Sequence, residues 1–213
     1  MVTKKKISVP KKSKSKSVKE KYAGPNDGKI RCGWCLSNPI YVKYHDEEWG
    51  RPVHDDTLLF EFLVLEIFQA GLSWLTILKK RENFRKAFAQ FDAKKVSKYD
   101  EKKYESLMQD AGIIRNQLKI RAAINNARRF LEIQKEFGSF DKYVWSFTGG
   151  KTLVNQHKTL KDLPPKTEIS DQMSADMGKR GFKFRGATIC YAFMQAVGIV
   201  NDHLMDCDEK KIR

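Results

Sequence analysis

The residues best suited to metal or thiol chemistry are the four cysteines, Cys32, Cys35, Cys190 and Cys207, together with His45 and His203. His203 and Cys207 stand four apart, which puts them on one face if that stretch is helical. Cys32 and His45 add two more donors of soft to borderline character. Together they form a Cys2His2 set suited to tetrahedral zinc. Such a site is closed to water, so its ion would clamp the two ends of the folded chain rather than do chemistry. Taken singly, the same residues fit as ordinary buried or solvated side chains. Cys32-Gly-Trp-Cys35 also has the spacing of a redox dithiol. That motif opens a helix after a strand, however, and no strand pattern flanks it here. Cys190 falls mid-helix and reads as a small core residue.

A second constellation is aromatic. Trp34, Tyr41, Tyr44 and Trp49 crowd one short stretch, and Trp74 follows. Flat amphipathic walls of this kind suit a base taken out of a nucleic-acid stack, although they serve equally as core residues. Glu66 lies within Leu63-Val64-Leu65-Glu66-Ile67-Phe68. A carboxylate is costly to bury without a partner, so its place there predicts a cavity with something to recognise.

The elements that must position these groups are helical almost throughout. Thr57 is expected to cap a helix through Leu58, Phe62, Leu65 and Phe68 to a stop at Gly71, and Ser73 to cap a helix through Ile77 and Phe84 to Ala87. Asp92 and Asp100 read as N-caps, and Ile120, Ala123, Ile124, Ala127 and Leu131 repeat along one longer helix. Ser139 is expected to cap Phe140–Phe147. A helix from Ser170 to Gly181 and another from Thr188 to Val197 close the pattern. Residues 149–167 form an irregular surface insertion with no strand pairing evident. The class is therefore all-α, with roughly eight to ten short helices.

Charge points to an anionic partner. The net charge is +15, and residues 1–22 hold nine lysines against one glutamate. That segment is too polar to fold, so residues 1–28 read as a disordered basic tail and linker and residues 29–213 as the folded domain. The tail would add phosphate attraction, serve as a nuclear address or merely solubilise. No apolar run is long enough to cross a bilayer, and the N-terminus has no secretory apolar stretch. A reducing interior is expected, bacterial cytosol or nucleoid or eukaryotic nucleus, with a monomer as the default.

Seven segments together carry a family resemblance: Arg31-Cys-Gly-Trp, Tyr44-His-Asp-Glu-Glu-Trp-Gly, Gln69-Ala-Gly-Leu-Ser-Trp-Leu-Thr-Ile-Leu, Asp110-Ala-Gly-Ile-Ile-Arg, Val144-Trp-Ser-Phe, Lys179-Arg-Gly-Phe-Lys-Phe and Asn201-Asp-His. In this order, over residues 31–207, they resemble the type I 3-methyladenine DNA glycosylases of the helix-hairpin-helix superfamily. The resemblance implies a hydrolase that everts a methylated adenine from double-stranded alkylated DNA and releases free 3-methyladenine. It implies one structural zinc on Cys32, His45, His203 and Cys207. The base pocket maps onto Glu66, Tyr41, Tyr44 and Trp74, with Trp34 and Trp49 nearby. Gly71-Leu72 corresponds to the segment pushed into the duplex. The hairpin maps to Phe184–Cys190, where backbone N–H groups at Gly186 and Thr188 would hold phosphate with charge from Lys183 and Arg185.

Two departures from the superfamily bear on mechanism. The hairpin lysine of its strand-nicking members corresponds here to Thr188, which implies a monofunctional enzyme. Its usual catalytic aspartate has no secure counterpart, since Asp202 adjoins a metal ligand and Asp206 fits the spacing poorly. A zinc-containing helical DNA binder without catalysis and a thiol oxidoreductase are the competing readings. The former gains nothing from a buried Glu66.

Overall fold

Residues 24–211 are described by a computed structural model, in which most α-helices begin at a side-chain cap. Most of the expected basic tail lies outside the described residues. Asn38 caps α1 (Pro39–Glu47), and Asp55 caps α2 (Asp56–Gln69) by accepting from Leu58 N at 2.9 Å. Ser73 caps α3 (Trp74–Leu78), followed by α4 (Arg81–Ala87). Asp92 and Asp100 cap α5 (Ala93–Val96) and α6 (Glu101–Gln109). Asn116 caps α7 (Gln117–Phe137), which stops at the left-handed Gly138. Ser139 caps α8 (Phe140–Ser146), Thr167 caps α9 (Glu168–Lys179), and α10 (Ala187–Ala196) starts at Gly186.

Four expectations are corrected. The cap of α2 is Asp55, so Thr57 sits inside the first turn. The cap of α9 is Thr167, whose hydroxyl accepts from Ser170 N while Ser170 reaches back to Thr167 N, a reciprocal capping box. The single helix read from Trp74 to Ala87 is two, broken at Lys79–Lys80. The break lets Lys80 Nζ reach the carbonyls of Ala111 and Gly112 while Arg81 reaches Glu48 and Glu61. Finally, a strand pair does exist: β1 (Leu153–Val154) runs parallel to β2 (Val200–Asn201), with Leu153 opposite Val200. Two residues per strand are too short to show an alternating pattern.

The centre of the molecule is α2, buried at every residue from Leu59 to Phe68. A helix buried on every side has no solvent face and must be wrapped by others, its two carboxylates Glu61 and Glu66 included. Around it pack α7, whose Ile120, Ala123, Ala127 and Phe130 are buried, and α10, whose Phe193 and Met194 are buried. Phe130 stacks on Phe140 of α8 at 4.2 Å between centroids. Each such buried side chain stabilises the fold by roughly 1.5–3 kcal/mol. One glycine is obligatory for this packing. Gly198 has φ +72°, and a Cβ there would lie 2.2 Å from the Arg51 carbonyl carbon. Its absence lets Val53 N donate to Val197 O at 3.0 Å, which ties the segment after α1 to the end of α10.

Joined by the Arg180–Gly186 turn, α9 and α10 pack closely and form the helix-hairpin-helix unit. The architecture is thus all-helical but for that one strand pair.

Candidate active site

Elements distant in sequence enclose one cavity of about 210 Å³. The short 3-10 helix Gly33–Ser37 supplies Trp34, α1 supplies Tyr41 and Tyr44, and Trp49 follows α1. Glu66 and Gln69 come from the last turns of α2, Trp74 from the first residue of α3, and Ala192 and Gln195 from α10. Leu163 closes the wall from the irregular insertion. Drug-sized ligands occupy roughly 300–1,000 Å³, so this space suits a single flat ring system.

The walls are held by geometry the sequence makes local. The Tyr41 hydroxyl accepts from Leu75 N at 3.0 Å, occupying an otherwise orphaned donor in the first turn of α3. That bond fixes Trp74, whose ring lies 5.4 Å from Tyr44. Trp34 meets Trp49 edge-on at 5.1 Å and Tyr41 at 5.4 Å. The Trp74 indole N–H is buried without an acceptor in hydrogen-bonding geometry.

Glu66 stands at the base of these walls, only 4% exposed. Its carboxyl makes no hydrogen bond with the described residues, and burial pushes it up to about 8. Burial thus favours its protonated form.

Beside the aromatic wall, Cys32, His45, His203 and Cys207 converge, all buried, with their donor atoms within 4.8 Å of one another. His203 Nδ1 lies 3.2 Å from His45 Nε2 and 3.5 Å from Cys207 Sγ, and Cys207 Sγ lies 3.5 Å from His45 Nε2. Zinc bond lengths of about 2.0–2.3 Å give tetrahedron edges of roughly 3.3–3.8 Å, so the set fits that ion. Contact with Cys32 and both imidazoles holds the Cys207 thiol far below its usual range, while Cys207 and burial push Cys32 the other way. A dication would let both ionise. Behind the ligands, Asp46 faces His45 Nδ1 at 2.8 Å and the Trp49 carbonyl faces His203 Nε2 at 2.9 Å, fixing both rings. His203 and Cys207 lie in irregular chain on either side of the turn at Met205 and Asp206 rather than on a helix, which corrects the basis of their pairing. The cluster backs directly onto the pocket, since Trp49 packs on His203 at 4.7 Å. Cys35 lies outside it and donates its S–H to Cys32 O.

A second cavity of about 210 Å³ adjoins the first and shares Glu66, Gln69 and Ala192 with it. Its remaining walls are Ala70, Gly71 and Leu72 from the α2–α3 corner, and Thr188 and Ile189 from α10. The corner and the hairpin helix thus face each other across an opening that leads to Glu66. Leu72 is 40% exposed. Gly71 has φ +78° with open space where a Cβ would point. Lys183, Arg185 and Gly186 are exposed on the hairpin turn and line neither cavity. No side chain caps α10, so its first backbone N–H groups are left for another acceptor.

Several positioning residues escaped the sequence reading. Asn126, 1% exposed, donates to Lys183 O and accepts from Lys183 N, clamping the hairpin to α7. Lys119 is buried beneath the corner and donates to the carbonyls of Phe68 and Ala70. Gln69, Gln195, Ala192 and Leu163 line the pocket, and Ala192 and Gln195 sit one helical turn apart on α10. That spacing is the one signal that could have found this pair. Asp202 is buried and bonded to Asn155, Tyr191 and Gln195, with His157 also facing it, whereas Asp206 is exposed. Neither aspartate lines the cavity.

Among known proteins, a model of the family described as "Methyladenine glycosylase" matches residues 34–210. The chain is 52% identical over 177 residues to "DNA-3-methyladenine glycosylase 1" of Escherichia coli (strain K12), covering 83% of this chain and 95% of that one. It is 48% identical over 177 residues to "DNA-3-methyladenine glycosylase" of Haemophilus influenzae, covering 83% and 96%. A solved structure of 3-methyladenine DNA glycosylase I from Staphylococcus aureus, described as giving the structural basis of 3-methyladenine recognition, superposes with a TM-score of 0.83 at 37% identity, over 86% of this chain and 97% of that one. Sequence and overall shape therefore agree, and the chain belongs to the methyladenine glycosylase family.

Proposed function

We propose that this protein is a monofunctional DNA glycosylase of base excision repair that removes 3-methyladenine from alkylated double-stranded DNA. The observation that carries this is Glu66, a carboxyl without a protein partner at the floor of an aromatic cavity the size of one base. Relatives named for this activity support it.

Methylation at N3 leaves the everted adenine cationic. Stacking against Tyr44 and Trp74 favours that charge, and Tyr41, Trp34 and Trp49 complete the walls. The incoming cation favours the ionised form of Glu66, which passes its proton to water as the base enters, and the carboxylate then accepts from the exocyclic amine. The C1′–N9 bond breaks with its electron pair passing to the base, which leaves neutral. Water adds to C1′ and releases a proton, giving an abasic site and free 3-methyladenine. Because the leaving group is already activated, no strong acid is needed. Among the described residues no lysine lines either cavity, which supports hydrolysis without a Schiff base.

Leu72, carried on Gly71, would fill the vacated stack. The N–H groups from Gly186 to Thr188, with Lys183 and Arg185, would hold the backbone phosphates. Cys32, His45, His203 and Cys207 would hold one structural zinc that fixes the wall through Trp49. A monomer acting where the DNA lies, in nucleoid or nucleus, is the simplest assembly. Among the described residues no helix is long and apolar enough to cross a membrane.

Incubating the purified chain with methylated duplex DNA should release 3-methyladenine, detected by chromatography. DNA binding with no released base would overturn the enzymatic reading in favour of a DNA-binding module.

A further inference from the structure

We propose that Gln195 is a specificity-determining residue that reads the purine, and that Asp202 decides which end of its amide does the reading. The inference rests on the base-pocket assignment above. Gln195 lines the cavity with Glu66, Trp49 and Trp74, and its side chain is only partly covered. Its Nε2 donates to Asp202 Oδ2 at 2.7 Å. The two ends of an amide have the same shape, so the partner decides the orientation. Asp202 is 1% exposed and already takes hydrogen bonds from the Tyr191 hydroxyl at 2.5 Å and Asn155 Nδ2 at 2.7 Å. The Asp202 oxygens are engaged as acceptors, so the Gln195 amide turns its N–H towards them.

Gln195 Oε1, which makes no hydrogen bond with the described residues, is then the end left for a base in the cavity that Gln195 lines. The pocket presents a fixed carbonyl acceptor in addition to Glu66. Adenine carries an amine at the position where guanine carries a carbonyl. An adenine-type base offers that acceptor an N–H, whereas a guanine-type base opposes oxygen to oxygen. Sites built to pair with one polar group reject the analogue that lacks it. Gln195 thus selects alkylated adenine over the corresponding alkylated guanine.

The test uses free 3-methyladenine and free 3-methylguanine as probes. Binding is read by quenching of tryptophan fluorescence, since Trp34, Trp49 and Trp74 line the cavity. Gln195→Met should narrow the ratio of the two dissociation constants about tenfold, the loss of roughly one hydrogen bond. Gln195→Asn, too short to reach both Asp202 and the base, should narrow it too and carries the test if the methionine variant does not fold. Tyr191→Phe removes another bond to the same carboxylate and should leave the ratio unchanged. A ratio that stays within about twofold in the Gln195 variants, or one that Tyr191→Phe narrows equally, overturns the proposal. A parent chain that binds neither base removes the pocket reading itself, a result distinguishable from either of these.

Discussion

Glu61 and Glu66 lie five residues apart on the same buried helix, yet only Glu61 meets a cation. Its carboxylate is held by Arg81 and by Arg85, the latter at 2.9 Å, and Arg81 in turn reaches Glu48 at 2.6 Å. Glu66 has no counterion and faces the aromatic cavity. Glu61 belongs to an ion network that joins α2 to α4, whereas Glu66 is left to be answered by a ligand.

That contrast predicts opposite responses to the same substitution. Glu61→Gln leaves two guanidinium groups short of a charge and should destabilise the fold by about 3–5 kcal/mol. Glu66→Gln should leave the protein at least as stable while lowering excision of 3-methyladenine roughly 10- to 100-fold, with DNA affinity retained. Denaturant melts combined with base-release assays check both. Full activity in Glu66→Gln would remove the pocket assignment.

The pH dependence of stability follows with a definite sign. Burial raises Glu66 from 4.5 to about 8, so the native state keeps a proton that the unfolded chain has already released over that range. Its contribution is fully present below pH 4.5 and is lost as pH rises towards 8. The slope is on the order of 1 kcal/mol per pH unit. Glu66→Gln abolishes it, so the variant should gain on the parent steadily from acid to mildly alkaline buffer. A stability difference that does not change with pH contradicts the buried, unpartnered carboxyl.

Removing Trp74 strips one wall of the cavity. Trp74→Ala should cost about 3–5 kcal/mol of stability and most of the excision activity. Binding to an abasic duplex, which presents no base to stack, should survive. Measured in parallel, equal losses in excision and abasic-site binding would show that Trp74 does not contact the base.

One zinc per chain is expected by elemental analysis. A strong chelator should lower the melting temperature by ten degrees or more, because structural zinc contributes several kcal/mol and each kcal/mol shifts a domain of this size by about 2–4 °C. His203→Ala should behave like the chelated protein. A chelator that leaves the melt unmoved would reduce the cluster to four packed side chains.

Lys119→Met should loosen the α2–α3 corner by freeing the carbonyls of Phe68 and Ala70. Affinity for abasic-site DNA should fall about fivefold or more, while binding of free 3-methyladenine stays near the parental value. Comparing the two titrations isolates the corner from the pocket.

What the sequence alone determined was local. Ser73, Asp92, Asp100 and Ser139 marked helix starts because a cap acts within its own first turn. Glu66 declared itself by standing among apolar neighbours. The metal-ligand set and the pocket residues became legible through motifs spread over residues 31–207, with no geometry attached. Only the tertiary structure decided that Cys32 meets His203 across 171 residues, that Asn126 and Lys119 brace the hairpin and corner, and that Gln195 shares a cavity with Glu66. These relations join side chains on separate helices. Spacing along one chain carries no information about which helix faces pack together, so the reading stopped where contacts became non-local.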